Sequence, residues 1–332
     1  MEEHPAIRVR DLRKSFFVTE RETGVGAALA SLVRRRRAEI TAVDGISFTL
    51  QPGEVVGFLG PNGAGKTTTL KMLSGLLHPT GGEISVLDHV PWKREKAFLR
   101  QITLVMGQRN QLVWDIPAAD SFELNRAIYR IPGPDFRSIV GELTELLELG
   151  PLLRKPVRNL SLGERMKCEL AAALLHQPRV VFLDEPTIGL DVTMQRRIRS
   201  FIAEYNQRFG ATVLLTSHYM ADVEALCRRV IVIHHGKLLF DGELAALVGR
   251  FTAHKTIVVK LEDAGADGGL ASLSGYGEVI SREEGVVTLR VPREETPRVT
   301  GRILADMPVI DLTVEDPPIE EVIERVFAGE TS

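Results

Sequence analysis

Cysteine is nearly absent, with Cys168 and Cys227 the only two in 332 residues, and neither stands at C-x-x-C or metal-ligand spacing. That excludes a disulfide framework, a zinc ribbon and a dithiol redox pair, and leaves two reduced thiols as bystanders. Long apolar runs are absent as well: nothing approaches the roughly 18 consecutive apolar residues that would span a bilayer. The opening residues Met1-Glu2-Glu3-His4 lack the basic-then-apolar order of a secretion signal, so a soluble, non-exported chain is expected. An excess of one charge is missing too, since 41 Lys and Arg face 44 Asp and Glu for a net charge of −3. A surface built throughout for nucleic acid is therefore excluded, although a local basic patch is not. What is present, 44% apolar and 26% charged residues, is ordinary globular composition. The length calls for one large domain and a smaller one.

The chain is organised around Gly60-Pro61-Asn62-Gly63-Ala64-Gly65-Lys66-Thr67-Thr68, which follows the apolar run Val55 to Leu59 and precedes a helical pattern. Strand, glycine loop and helix in that order form a P-loop. Its glycines let backbone N–H groups curl around phosphate oxygens at a helix N-terminus. Lys66 would reach the β- and γ-phosphates, and the Thr67 hydroxyl would serve Mg²⁺, a hard cation that takes oxygen ligands. The bland alternative is a glycine-rich turn. The flanking strand and helix weigh against it.

A second concentration of chemistry lies at Val180-Val181-Phe182-Leu183-Asp184-Glu185, an apolar strand delivering two carboxylates at its C-terminal end. In open α/β sheets that end is where ligands sit, and adjacent acids there are costly unless a cation or a reaction uses them. Asp184 suits the Mg²⁺ shell, and Glu185 suits polarising a water for attack on the γ-phosphate. Thr212 to Ser217 reads as another buried strand, ending at His218. Ile102 to Gln108 reads as a third strand, ending in a glutamine. Ser161 followed by Glu164 is a capping box opening a helix.

Around these landmarks, residues 6 to 18 alternate as a strand and end in Phe16 and Phe17, where an aromatic either stacks on a purine or fills a core. Residues 21 to 39 place Val25, Ala28, Leu29, Leu32 and Val33 at helical spacing before Arg34 to Arg37. This short basic amphipathic stretch suits either an anionic membrane surface or plain solvation. Strand alternation resumes at Thr41. From Asp115 to Leu153 the period is helical, broken at Ile131-Pro132-Gly133-Pro134, so a helical insertion is expected. His234 and His235 read as turn surface. Beyond Glu243, strands at 256–261, 278–282, 286–291 and 309–314, with helices at 296–305 and 318–327, make a small α+β unit.

The order of these motifs resembles the nucleotide-binding subunit of ABC transporters over about residues 6 to 243. The expected fold is therefore α/β, a P-loop NTPase of ABC type, with domains at 1–243 and 244–332. The first carries a helical subdomain at about 109–170 and a basic insertion at about 19–40; the second is a small C-terminal α+β domain. The resemblance implies an ATPase using ATP and Mg²⁺, with Glu185, His218 and Gln108 catalytic and Thr67, Gln108 and Asp184 around the metal. It implies that Gly60 to Thr68 cradle the phosphates, that Phe16 stacks on adenine, and that Ser161, Gly163 and Asp191 serve the nucleotide across a head-to-tail homodimer. The Leu160–Glu164 signature departs from the commonest form at Leu162 and Glu164 and keeps Ser161 and Gly163. The implied partners are a second copy and a separately encoded transmembrane permease, with no nucleic acid. The implied place is the cytoplasmic face of the inner membrane, held there through the permease. Domain order resembles bacterial multidrug, antibiotic-resistance and lipid or polysaccharide exporters. A soluble ABC ATPase acting on nucleic acid or ribosomes is the competing expectation, supported only by Arg34 to Arg37.

Overall fold

Strand β3 (Val55–Leu59) occupies an inner position of a six-stranded sheet in a computed structural model. The structure describes residues 4–19, 37–107, 111–251, 254–261, 275–283, 285–317, 321–323 and 327. Two compact units divide the chain, Met1–Gly242 and Glu243–Ser332.

In the first unit β3 is joined by β5 (Ile102–Met106), β6 (Val180–Asp184), β7 (Thr212–Thr216), β8 (Arg229–His234) and β9 (Lys237–Glu243), in the order β5-β6-β7-β3-β8-β9. The first five pair in parallel. Every residue of β6 and β7 is buried, which is why both read as continuous apolar runs rather than alternating ones. Parallel register brings Met106, Asp184 and Thr216 level with one another at the carboxyl edge. The P-loop leaves β3 at the same edge, so the motifs separated in sequence converge there by strand pairing alone.

A second, antiparallel sheet, β2-β1-β4, is built from β1 (Ile7–Thr19), β2 (Arg37–Leu50) and β4 (Gly81–Val86). Its inward residues Ile7, Leu12, Ile46 and Phe48 share one core with Phe58 and Phe182 of the parallel sheet. Helix α1 (Lys66–Leu73) contributes Leu70, Met72 and Leu73 to that core, none of them measurably exposed. Burying three such side chains contributes about 2 kcal/mol each, enough to hold the helix end, and hence the loop before it, between two sheets. Arg37 pairs with Thr19, so β2 begins four residues before the expected resumption at Thr41. Of the basic helix expected at 21–39, residues 37–39 are strand, part of β2, and the remainder, with Arg34 to Arg36, lies outside the described residues.

Helix α2 (Lys96–Leu99) precedes β5, and between β5 and β6 run α3 (Ala118–Tyr129), α4 (Gly133–Leu147) and α5 (Leu162–Leu174). The break is narrower than Ile131 to Pro134: α4 already starts at Gly133, with Pro134 in its first turn. A proline there forfeits only an N–H that has no helical partner in any case. Helix α6 (Val192–Phe209) follows β6 and α7 (Met220–Leu226) follows β7.

The second unit contains α8 (Leu244–Phe251), β10 (His254–Leu261), β11 (Glu278–Glu283), β12 (Val286–Pro292), α9 (Thr296–Asp306) and β13 (Val309–Glu315). Its sheet runs β11-β12-β10-β13, antiparallel throughout. Strands β12 and β13 therefore point the same way with β10 between them and α9 as the crossover, a split β-α-β arrangement. Ile257, Val259, Val287 and Leu289 pack with Val299 and Ile303 of α9. Of the expected final helix at 318–327, only residues 321–323 and 327 are described.

Candidate active site

The P-loop is shaped by its glycines. Gly65 caps α1 in a left-handed conformation, φ 105°, and a Cβ there would stand 2.4 Å from the Ala42 carbonyl of β2. At Gly60 a Cβ would stand 2.4 Å from the Ile233 carbonyl. Backbone bonds fix the same contacts: Gly236 N–H donates to Ala64 O at 3.1 Å, and Asp44 N–H to Gly236 O at 2.8 Å. The loop is thus wedged between β2 and the β8–β9 turn, with Pro61, Asn62, Gly63 and Ala64 held over the helix end. Thr68 is the third residue of α1. Lys66 is 5% exposed and donates to the Gly60 and Pro61 carbonyls at 2.5 and 3.2 Å. Burial lowers its pKa, against the opposing pull of the Glu185 and Asp184 carboxylates. A cation held over the mouth of an N–H-lined loop is ready for an anion.

Beside it, Thr67 Oγ1 donates to Asp184 Oδ2 at 2.9 Å, and Thr216 Oγ1 donates to Asp184 Oδ1 at 2.8 Å. Bonds of a hydroxyl to a charged acceptor contribute about 1.5–3 kcal/mol each, so Asp184 is fixed despite being almost fully buried. A hydroxyl and a carboxylate in contact at a phosphate loop are the oxygen donors a magnesium ion takes. The donor set fits. The next residue, Glu185, turns through φ 55°, a conformation uncommon for a side chain of its size. It is held by its N–H, which donates to Thr216 O and Oγ1, both at 3.1 Å. Its Oε1 lies 2.8 Å from His218 Nε2, with the side chains 21% and 37% exposed. A carboxylate and an imidazole in contact, facing outward beside a phosphate loop, can accept and relay a proton.

Residues 43–188 match the ABC transporter family model, and residues 253–315 match the model of an EvrA-like ABC transporter C-terminal domain. The Nod factor export ATP-binding protein I of Burkholderia pseudomallei is 39% identical over 221 residues, covering 65% of this chain and 70% of that protein. The ABC transporter ATP-binding protein NatA of Bacillus subtilis is 34% identical over 212 residues, covering 64% and 86%. This chain belongs to the ABC transporter ATP-binding family.

An ABC ATP-binding cassette solved as a dimer in a post-hydrolysis state with ADP and Pi superposes with a TM-score of 0.59 at 23% identity, covering 72% of this chain and 98% of that one. That likeness shows the ABC ATPase fold; ATP binding and hydrolysis are the activity of the family to which the sequence relatives assign the chain. Among the described residues no helix is long and apolar enough to cross a membrane.

Of the residues singled out in sequence, this ABC ATPase brings Gly60 to Thr68, Asp184, Glu185 and His218 to one edge. Ser161 stands elsewhere, as the N-cap of α5 in a complete capping box. Its N–H donates to Glu164 Oε2 at 2.9 Å and its Oγ accepts from Glu164 N–H at 3.3 Å. That backbone donor, together with burial working the other way, leaves the Glu164 pKa below the usual carboxylate range. Gly163 faces Met194, whose Cγ a Cβ would meet at 2.9 Å. Asp191 caps α6 by accepting from Met194 N–H at 2.9 Å. Phe16 is 38% exposed, with the Lys14 ammonium 5.1 Å from its ring centre; Phe17 is 67% exposed. Gln108 lies outside the described residues. The two cysteines are buried, and burial pushes both thiols up to about 12.

Two residues of the site carried no signal that was used. Thr216 reads in sequence only as part of a strand, and register with Asp184 reveals its role. At Gly107 a Cβ would stand 2.2 Å from the Glu185 carbonyl; a glycine closing a buried strand was the available clue.

Proposed function

We propose that this ABC ATPase powers export through a separately encoded membrane permease, to which it binds at the cytoplasmic face of the membrane. The names of its relatives support the direction, one of them being an export ATP-binding protein. In this reading residues 1–243 form the ATP-binding domain, with the helical subdomain at about 109–170, and residues 244–332 an accessory domain.

Thr67 and Asp184, with Gln108, would hold Mg²⁺. Bound there, the ion would neutralise charge on the phosphates. Lys66 leaves the Gly60 and Pro61 carbonyls for the phosphates, and Phe16 offers its exposed face to adenine. Glu185 takes the proton of the attacking water, and His218 orients that carboxylate and meets the γ-phosphate. Two copies face head to tail, so that Ser161, Gly163 and Asp191 of one close over the nucleotide of the other. The Ser161 hydroxyl accepts from Glu164 N–H, and in this reading its proton is donated to a phosphate oxygen. A solved relative in the fold is dimeric with ADP and Pi.

The observation that carries the reading is the Glu185–His218 contact at 2.8 Å, set beside the Thr67–Asp184 pair at the mouth of the P-loop. The test is capture of the full-length Glu185→Gln chain from membranes in Mg-ATP. A co-purifying polytopic membrane protein supports export; recovery of ribosomes or nucleic acid instead would end the transport claim and leave the ATPase.

A further inference from the structure

Adjoining the Glu185–His218 pair in sequence is a largely buried set of polar bonds that the reading above does not use. Asp222, the third residue of α7, is 1% exposed. Its Oδ2 accepts from Thr187 Oγ1 at 2.5 Å and from Ser217 Oγ at 2.7 Å. Its Oδ1 accepts from Arg199 Nη1 of α6 at 2.8 Å. Thr187 and Ser217 are 1% and 3% exposed, and the Arg199 side chain is 14% exposed. Thr187 stands two residues after Glu185, and Ser217 immediately precedes His218. One carboxylate therefore ties the turn that carries the carboxylate of the outward pair to the turn that carries its imidazole.

Stability alone does not call for an acid here. A buried ion pair seldom outperforms well-packed apolar side chains of the same volume, because both charges must be desolvated. What a fully satisfied polar cluster gives, and apolar packing does not, is one preferred arrangement of its members. The site in front needs that. Glu185 and His218 are both partly exposed, and a polar contact open to water does little to hold itself in place. Glu185 also sits at φ 55°, a conformation that persists only where its surroundings over-determine it. Thr216 holds the turn from the Asp184 side; Asp222 holds it from the far side.

We infer that Asp222 is a positioning residue for hydrolysis: through Thr187 and Ser217 it sets the separation of Glu185 and His218, and Arg199 anchors it from α6. The inference rests on Glu185 and His218 being the reacting pair. Helix α6 is capped by Asp191, which the proposed dimer places against the second copy. Arg199 therefore gives Asp222 a second consequence, a route by which closure at Asp191 reaches the pair.

The experiment uses the full-length chain and the near-isosteric variants Thr187→Val and Ser217→Ala, singly and together, with Asp222→Asn and Glu185→Gln. For each, kcat and KM for ATP, nucleotide affinity and Tm are measured. Each single variant is expected to lower kcat about tenfold, since small displacements of reacting groups are costly, while KM and affinity stay within about twofold. The double variant is expected to be no slower than the slower single one, because both bonds end on one carboxylate. Asp222→Asn should be slower than either. Should Asp222→Asn fail to fold, the hydroxyl variants still decide. Wild-type kcat in folded Thr187→Val and Ser217→Ala, beside an inactive Glu185→Gln, would overturn the role of Asp222 alone. Full turnover in Glu185→Gln would instead remove the catalytic reading on which it rests. A loss of kcat matched by equal losses of affinity and Tm would mark Asp222 as structural.

Discussion

Replacing Gly107 by alanine tests whether the Glu185 backbone sets the rate. The Gly107 N–H donates to Asp184 O at 2.9 Å, and its backbone lies outside the left-handed region, so alanine meets no conformational penalty of its own. The obstacle is steric. The new Cβ would stand 2.2 Å from the Glu185 carbonyl oxygen and 2.9 Å from Ile188 Cγ2, where ordinary contact begins at 3.4 Å. The carbonyl must therefore retreat by about 1.2 Å. Its residue is already held at φ 55° by two bonds to Thr216, so the carboxylate moves with it. A displacement of about 1 Å at a reacting group costs about 100-fold in rate, and overpacking of this kind costs about 1–3 kcal/mol of stability. Steady-state phosphate release and titration with a fluorescent ATP analogue separate the effects. The expected result is a kcat lower by about 100-fold with affinity changed less than threefold, since the atoms nearest the new Cβ belong to Glu185 and Ile188 rather than to the P-loop. Wild-type turnover, or a loss of affinity equal to the loss of turnover, would refute the reasoning.

Lys66→Ala removes the cation over the loop and is expected to weaken ATP affinity at least tenfold, a charged contact being worth about 1.5–3 kcal/mol; unchanged affinity in the same titration would count against it. His176 is stacked on Tyr129 at 3.9 Å and accepts a proton late, burial lowering its pKa to about 4. An unfolded histidine binds its proton near 6.5, so stability is full above that pH and falls between about 6.5 and 4, by about 3 kcal/mol in all. His176→Phe, which keeps the stack, should flatten the dependence of Tm on pH in that window. Cys168 and Cys227 should resist a thiol-reactive disulfide reagent in the native protein at pH 8 and react in denaturant; rapid native labelling would show that their burial is transient.

Much of the first unit was legible because its chemistry is local. A P-loop needs consecutive glycines, Lys66 and Thr67, and a buried parallel strand needs a continuous apolar run such as Val180–Asp184. The capping box of Ser161 and Glu164 is closed within four residues and was readable for the same reason. What was not legible arises across the sheet. Thr216 reaches Asp184 across 32 positions and Asp222 reaches Thr187 across 35; strand register brings the first pair together, and the helix that follows β7 brings the second. The Ile131-Pro132-Gly133-Pro134 segment reads as a longer interruption than the structure shows, because proline signals helix starts as well as breaks. The split β-α-β order of the second unit likewise depends on which strands pair, since its strands alone, read at 256–261, 278–282, 286–291 and 309–314, fit several topologies.

The most direct measurement is the mass in solution of the Glu185→Gln chain with and without Mg-ATP, followed by phosphate release from the same sample. If two copies close over nucleotide and Glu185 takes the proton, ATP will convert monomer to a long-lived dimer that releases no phosphate. A variant that stays monomeric in ATP, or that hydrolyses it at the rate of the unsubstituted chain, would contradict the account.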